Sequence, residues 1–267
     1  MLLLLPLLDG CKKVEPAPAE IDDLFHWMWT QVDEGEDAEI VEGLVNLDLA
    51  VDGAGLEDPM DGSLTVLSTE EAELVGVTDR DPALAAGIFL ANTFPCDFDQ
   101  LEQILSYGPQ DELYTGVYKS YSRDYATNRD DWLAGDVPRL EYTLDYTATV
   151  ITSQYSAHMD GLIRRVADFE ELDVPSGPFL LQRSVMPHPG QFGDDGESKG
   201  RSMDQDYQLE IYWPHGGDRV LHAYAMWRQA DWGAGFDSND SGVQRTLLNS
   251  LIDWDKDTAK LCEEGRP

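Results

Sequence analysis

Between Leu140 and Val150 the chain alternates strictly. Leu140, Tyr142, Leu144, Tyr146, Ala148 and Val150 fall on one side, and Glu141, Thr143, Asp145, Thr147 and Thr149 on the other. A period of two is that of a β-strand, and a polar second side means a sheet with one wet face. Further strands are predicted over 154–166, 179–186, 207–213 and 220–230, with shorter ones at 64–67 and 88–94. Pro214-His215-Gly216-Gly217-Asp218 supplies the turn that makes a hairpin of the two strands around it. Gly, Pro and Asp fill the other connections, so an antiparallel meander is expected.

Elsewhere the period is helical. Ile21, Leu24, Phe25, Met28 and Val32 recur at three- and four-residue spacing, as do Ile40, Val41, Leu44, Val45 and Leu47–Leu49, with Gly35 separating the two runs. Trp27 and Trp29 flank Met28, so one of them leaves the apolar stripe, either to meet a partner or membrane or to pack on the rest of the protein. A turn-rich acidic loop comes next at 51–63, and a short helix is expected at 69–74. Asp97 or Asp99 can cap a helix over 97–106 with Phe98, Leu101, Ile104 and Leu105 as its stripe. The last helix starts at Asp240 or Ser241 and carries Val243, Leu247, Leu251, Trp254, Thr258 and Leu261/Cys262 on one face. At about 20 residues it spans about 30 Å, the length of the sheet it must cover. Residues 107–139 are tyrosine-rich and give no clear element.

This is an α+β chain: a helical pair, then an antiparallel meander closed by one long C-terminal helix. From about Ile88 to Glu264 that order of elements resembles the START-like (SRPBCC) helix-grip fold, in which the sheet wraps the final helix. The resemblance implies a cavity between sheet and helix that holds an apolar or amphipathic molecule. Tyr142, Tyr146, Tyr224 and Met226 are then the expected lining, with His222, alternating with Tyr224 and Met226, as a polar group among them; a satisfied core histidine is the plainer reading of His222. The long 107–139 stretch and the helical pair at 20–50 depart from the family pattern.

The N-terminus changes the picture of where the chain resides. Leu2–Leu5 and Leu7–Leu8 precede Leu8-Asp9-Gly10-Cys11, which resembles the lipobox of a bacterial lipoprotein, with Cys11 as the acylated residue. Asp9 stands where a small uncharged residue is usual, and no Lys or Arg precedes the apolar run; a start upstream of Met1 would supply that charge. The run is too short to span a bilayer about 30 Å thick. Residues 1–10 are thus expected to be a signal-peptide remnant, 11–19 a lipidated Pro/Ala tether, 20–50 the helical pair, 51–87 a connecting segment and 88–264 the main domain. Lys12 after the cysteine resembles lipoproteins sent to the outer membrane, so the expected partner is a membrane, reached through Cys11.

The 267 residues are 42% hydrophobic, enough for a core, but carry 52 Asp and Glu against 18 Lys and Arg, for a formal charge of −34. With no basic stripe, nucleic acid is excluded as a partner. Besides Cys11 there are Cys96 and Cys262, a candidate disulfide in an exported chain. The alternative is two buried thiols.

Candidate chemistry is thin. His26, His158, His188, His215 and His222 form no pair or cluster at metal-ligand spacing. His188, near Asp194 and Asp195, reads as an exposed loop residue. Asp237-Ser238-Asn239-Asp240-Ser241-Gly242 resembles a calcium loop but has Leu248 where a bidentate Glu is needed, so a helix cap is the better reading. Tyr107, Tyr114, Tyr118, Tyr121 and Tyr125, interleaved with Lys119, Arg123 and Arg129, make the one basic-aromatic patch. It either recognises a carbohydrate or anion or packs at a sheet margin beside salt-bridged arginines. No nucleophile elbow, phosphate loop, metal site or cofactor motif is present. The function expected is ligand binding without catalysis. The alternatives are an envelope interaction protein with a filled core and a hydrolase with an unrecognised site.

So acidic a surface repels itself, and salt screens that repulsion. The melting temperature is predicted to rise between low and molar salt; an unchanged or falling value contradicts this.

Overall fold

The computed structural model describes residues 16–52, 58–150, 153–166, 178–193, 199–216 and 218–267. Cys11 and its lipobox lie outside the described residues, as do Asp194 and Asp195. Two helices open the described chain, α1 (Ile21–Glu34) and α2 (Asp37–Asp52). Then come β1 (Met60–Leu64), α3 (Thr69–Glu73), β2 (Ala86–Pro95), α4 (Phe98–Leu105), α5 (Gln110–Leu113), β3 (Tyr118–Tyr125) and α6 (Arg129–Leu133). The rest is β4 (Arg139–Val150), β5 (Ser153–Val166), β6 (Phe179–Val185), β7 (Gln191–Phe192), β8 (Ser202–Pro214), β9 (Arg219–Asp231) and α7 (Ser241–Glu263).

All pairings are antiparallel, in the order β1-β2-β9-β8-β6-β5-β4-β3, with β7 against β5. This is the expected meander, extended by β2 and β1 at the free edge of β9. The helical pair covers one face of the sheet and α7 the other, so the chain has the helix-grip architecture.

The alternation sorts side chains between the two layers. On β9, Leu221, Ala223, Ala225 and Trp227 join the core beneath α1 and α2, together with Tyr207, Leu209, Ile211 and Trp213 of β8. The Trp29 ring meets those of Tyr207 and Trp227 edge-on, at 6.1 and 5.7 Å between centroids. Trp29 is therefore the core tryptophan and Trp27 the half-buried one that leaves the stripe. Val220, His222, Tyr224, Met226 and Arg228 point the other way, toward α7.

Helix α1 has no basic residue in its last turn, so its C-terminal carbonyls need outside donors. The sheet provides them. Arg164 of β5 donates to the carbonyls of Gln31, Val32 and Gly35 and to Asp37 Oδ1, at 3.2, 3.2, 2.7 and 2.6 Å. Arg183 of β6 pairs with Asp33 at 2.6 Å, and Arg139 of β4 donates to the Asp33 carbonyl.

Two strand expectations need correction. The first strand is Met60–Leu64 rather than 64–67. It is an edge strand held by backbone pairing with β2, from Met60 opposite Ala91 to Leu64 opposite Gly87. Its polar sequence is tolerated because Gly62 leaves room for the Phe89 ring, which comes within 2.6 Å of where a Cβ would sit. Val66 is 42% exposed, and Leu67 is buried beyond the strand end. The second correction is β3, inside the stretch that gave no element. Its pairing with β4 shifts register between Tyr118 and Ser120, which interrupts the period of two. The short α5 and α6 were not expected either; α6 is capped by Asn128, whose side chain accepts from the Asp130 and Asp131 amides.

Cys96, just past β2, and Cys262, in the last turn of α7, form a disulfide with Cα atoms 5.3 Å apart across 166 positions. Asp240 caps α7 by accepting from the Gly242 and Val243 amides, so the supposed calcium loop is a helix cap.

Arg164→Ala removes four hydrogen bonds from the junction of α1 and α2. At about 1 kcal/mol net for each, discounted because Asp37 retains water, the loss should be about 2–3 kcal/mol. Urea unfolding measures it, and a loss below about 0.5 kcal/mol contradicts the capping role.

Candidate functional site

The stripe of α7 does not close on the whole sheet. Leu247, Leu248, Leu251 and Ile252 pack against Ile88, Leu90, Tyr224 and Met226 of β2 and β9. Toward the C-terminus, Trp254 stacks on Tyr114 at 5.1 Å and Thr258 Oγ1 hydrogen-bonds the Tyr114 hydroxyl at 2.8 Å. Beside this seam, over β3 to β6 and β8, helix and sheet stand apart and enclose about 950 Å³. All five residues expected to line a cavity, Tyr142, Tyr146, His222, Tyr224 and Met226, lie on its wall. Val117 and Phe236, 43% and 52% exposed, also line it, so it opens to solvent.

The tyrosine-rich stretch supplies more of the wall than the sequence suggested. Tyr118, Tyr121 and Arg123 of β3 line the cavity. Because of the register shift, Tyr118 contacts both Tyr121 and Tyr146, at 5.0 and 5.7 Å. Burial raises the phenol pKa values of Tyr118, Tyr121, Tyr142, Tyr146, Tyr155 and Tyr224 above the usual tyrosine range. These side chains are therefore neutral apolar bodies with polar tips. The alternative of salt-bridged arginines finds no carboxylate partner among the described residues: Arg123 donates to the Leu105 carbonyl and the Tyr121 hydroxyl, and Arg129 to Ser106 and Gln103.

A polar cluster joins the sheet to α7. His222 Nδ1 donates to Asp255 Oδ1 at 2.8 Å, and Asn92 Nδ2 donates to Asp255 Oδ2 at 2.8 Å. On its other side, His222 Nε2 lies 3.5 Å from Glu210 Oε2. Tyr212 stacks on the imidazole at 4.3 Å and donates a hydrogen bond from its hydroxyl to Glu210, which also accepts from Gln182 at 2.7 Å. Burial works against a charged imidazole, but the Asp255 charge and hydrogen bond, together with Glu210, outweigh it and raise the His222 pKa to about 9. Nearby, Arg228 pairs with Asp206 at 2.6 Å. His222 is thus buried in the interior, bonded through Nδ1, and on the cavity wall. Sequence reasoning missed Asp255 and Glu210, because nothing in the spacing of residues 210, 222 and 255 indicates that they meet.

Among the described residues no group of His, Cys, Asp and Glu has the arrangement of a metal site, and His188 is exposed. The chain matches no protein-family model and no curated protein by sequence. It is similar to solved structures at low identity. Human StAR-related lipid transfer protein 5 is 8% identical, with 85% of this chain and 97% of that one covered and a TM-score of 0.45. A START superfamily protein from Mycobacterium smegmatis is also 8% identical, with 67% and 97% covered and a TM-score of 0.42. A STAR-related lipid transfer protein from Xanthomonas axonopodis is 10% identical, with 69% and 90% covered and a TM-score of 0.41. The helix-grip fold rests on this chain's own strand order and helix placement.

The cavity is an aromatic pocket with polar atoms left open. Gln182 Oε1, His222 Nε2, Arg228 Nε and Trp232 Nε1 are buried without a hydrogen-bond partner among the described residues. Buried polar atoms are seldom left so unless a bound molecule or water meets them.

A histidine pKa raised on folding stabilises the fold fully below its unfolded value of about 6.5, and that contribution is lost as pH rises through the folded value. Stability should therefore fall between pH 6.5 and about 9. Asp255→Asn should lower the His222 midpoint and flatten the slope. An NMR titration of the His222 ring tests this, and a midpoint at or below about 6.5 contradicts it.

Proposed function

We propose that this protein is a lipid-anchored cell-envelope protein that binds an apolar or amphipathic small molecule between its sheet and α7. The observation that carries the reading is the cavity of about 950 Å³. It lies within the size range of ligand pockets, about 300–1,000 Å³, and has their mixture of aromatic wall and a few polar groups. An interaction protein acting through its surface alone would gain stability by filling that space, since void lining forgoes dispersion contacts.

Anchoring is supported by Leu8-Asp9-Gly10-Cys11 and by the Pro/Ala tether after the cysteine. The tether reaches the folded part at Ala17 and Pro18, whose carbonyls accept from Asn46 Nδ2 of α2 at 2.9 and 3.0 Å. A chain acylated at Cys11 would hang its main body from that point, with Lys12 favouring the outer membrane. Stable anchoring needs more than one acyl chain, which lipoprotein processing supplies.

The neutral dye N-phenyl-1-naphthylamine should bind saturably with one site per chain, and Ala148→Trp, which fills the cavity, should abolish binding while leaving the fold intact. Radiolabelled palmitate should enter the full-length protein in cells and be lost in Cys11→Ala. No saturable dye binding overturns the cavity reading, and label retained in Cys11→Ala overturns the anchor.

A further inference from the structure

Of the two arginines that line the cavity, Arg228 has a carboxylate beside it, Asp206. Arg123 lines the cavity, and among the described residues no carboxylate pairs with it. Its guanidinium is nonetheless fixed. Nη1 donates to the Leu105 carbonyl at 2.6 Å, Nη2 and Nε donate to the Tyr121 hydroxyl at 2.7 and 3.2 Å, and the group lies 4.1 Å from the Tyr142 ring centroid. A guanidinium carries five N–H donors, so one on each Nη remains without a partner.

The carboxylates of the sheet wall are already engaged elsewhere. Glu210 takes Tyr212 and Gln182 and lies beside the His222 imidazole; Asp206 takes Arg228 and Gln208, both on Oδ2, while its Oδ1 has no partner. Neither hydrogen-bonds Arg123, and the Asp206 charge is met by Arg228. A cation withdrawn from water with no anion beside it is costly, and two spare N–H groups on one planar fork match the two oxygens of an oxyanion.

We propose that the cavity receives an amphiphile with an oxyanion head, a carboxylate or a phosphate, and that Arg123 binds that head while the tyrosine wall takes the apolar body. This rests on the ligand-binding reading and sharpens it from an apolar or amphipathic molecule to an acidic one. Residue Arg123 supplies the specificity; the cluster around His222 holds the helix in place.

Titration calorimetry with dodecanoate, dodecyl phosphate and 1-dodecanol, on the wild-type chain and on Arg123→Gln, separates the possibilities. At least one of the two anions should bind about tenfold tighter than dodecanol, as expected for a charge-assisted pair in place of a neutral contact. Which anion does so distinguishes a fatty-acid head from a phosphate head. In Arg123→Gln the preference should vanish while dodecanol binding stays, which also reports that the variant folds. If that variant does not fold, phenylglyoxal modification of wild-type Arg123, read by peptide mass, should be blocked by the preferred anion and not by dodecanol. Dodecanol binding as tightly as both anions, or an anion preference that survives Arg123→Gln, overturns the assignment and leaves the cavity reading standing. Binding of none of the three overturns both.

Discussion

Asp255 is a carboxylate with no solvent exposure, on a helix that otherwise presents an apolar stripe. Leaving it unmet would cost several kcal/mol, so the helix can dock only where its partners are. Those partners are His222 near the start of β9 and Asn92 on β2. The same histidine is stacked on Tyr212, which holds Glu210. One buried acid thereby fixes the position of α7 over β2 and β9. The disulfide at Cys262 and the loop entering the helix, where Ser238 accepts from the Ala230 amide, hold its two ends. With helix and sheet pinned along that seam, the remaining strands cannot collapse onto α7, and the space beside the seam persists.

The two faces of the sheet therefore do different work. Under α1 and α2 the residues are large, apolar and close-packed, and three arginines from β4, β5 and β6 meet the end of α1. The face toward α7 is built from tyrosines whose hydroxyls remain protonated, interleaved with Arg123, Glu210, His222 and Arg228. It gives up packing for an aromatic wall suited to an apolar body, with fixed polar groups beside it.

How much of this was legible in the chain depended on how local the determining signal was. The period of two in β4 was read correctly because every residue from Leu140 to Ala148 alternates between the cavity side and solvent or its margin. The stripe of α7 and its Asp240 cap were equally plain. Strand β3 was not, because one extra residue between Tyr118 and Ser120 turns the spacing of Tyr118 and Tyr121 from two into three. Strand β1 was misplaced because an edge strand paired through its backbone needs few apolar side chains. Tyr142, Tyr146, Tyr224 and Met226 could be assigned to one wall from strand phase together with the helix-grip resemblance. Asp255 and Glu210 could not be assigned to His222, since only the tertiary fold brings together residues 33 and 12 positions from it. The meaning of Arg123 was hidden for the same reason: its lack of a carboxylate partner is a property of the folded surroundings.

The central claim is that the space beside α7 holds a molecule. Native mass spectrometry of the full-length chain purified gently from the cells that make it tests it most directly. The account predicts a one-to-one noncovalent adduct that is released on collisional activation and absent from Ala148→Trp. Only the polypeptide mass, in both proteins and under conditions gentle enough to retain bound lipid, would contradict it.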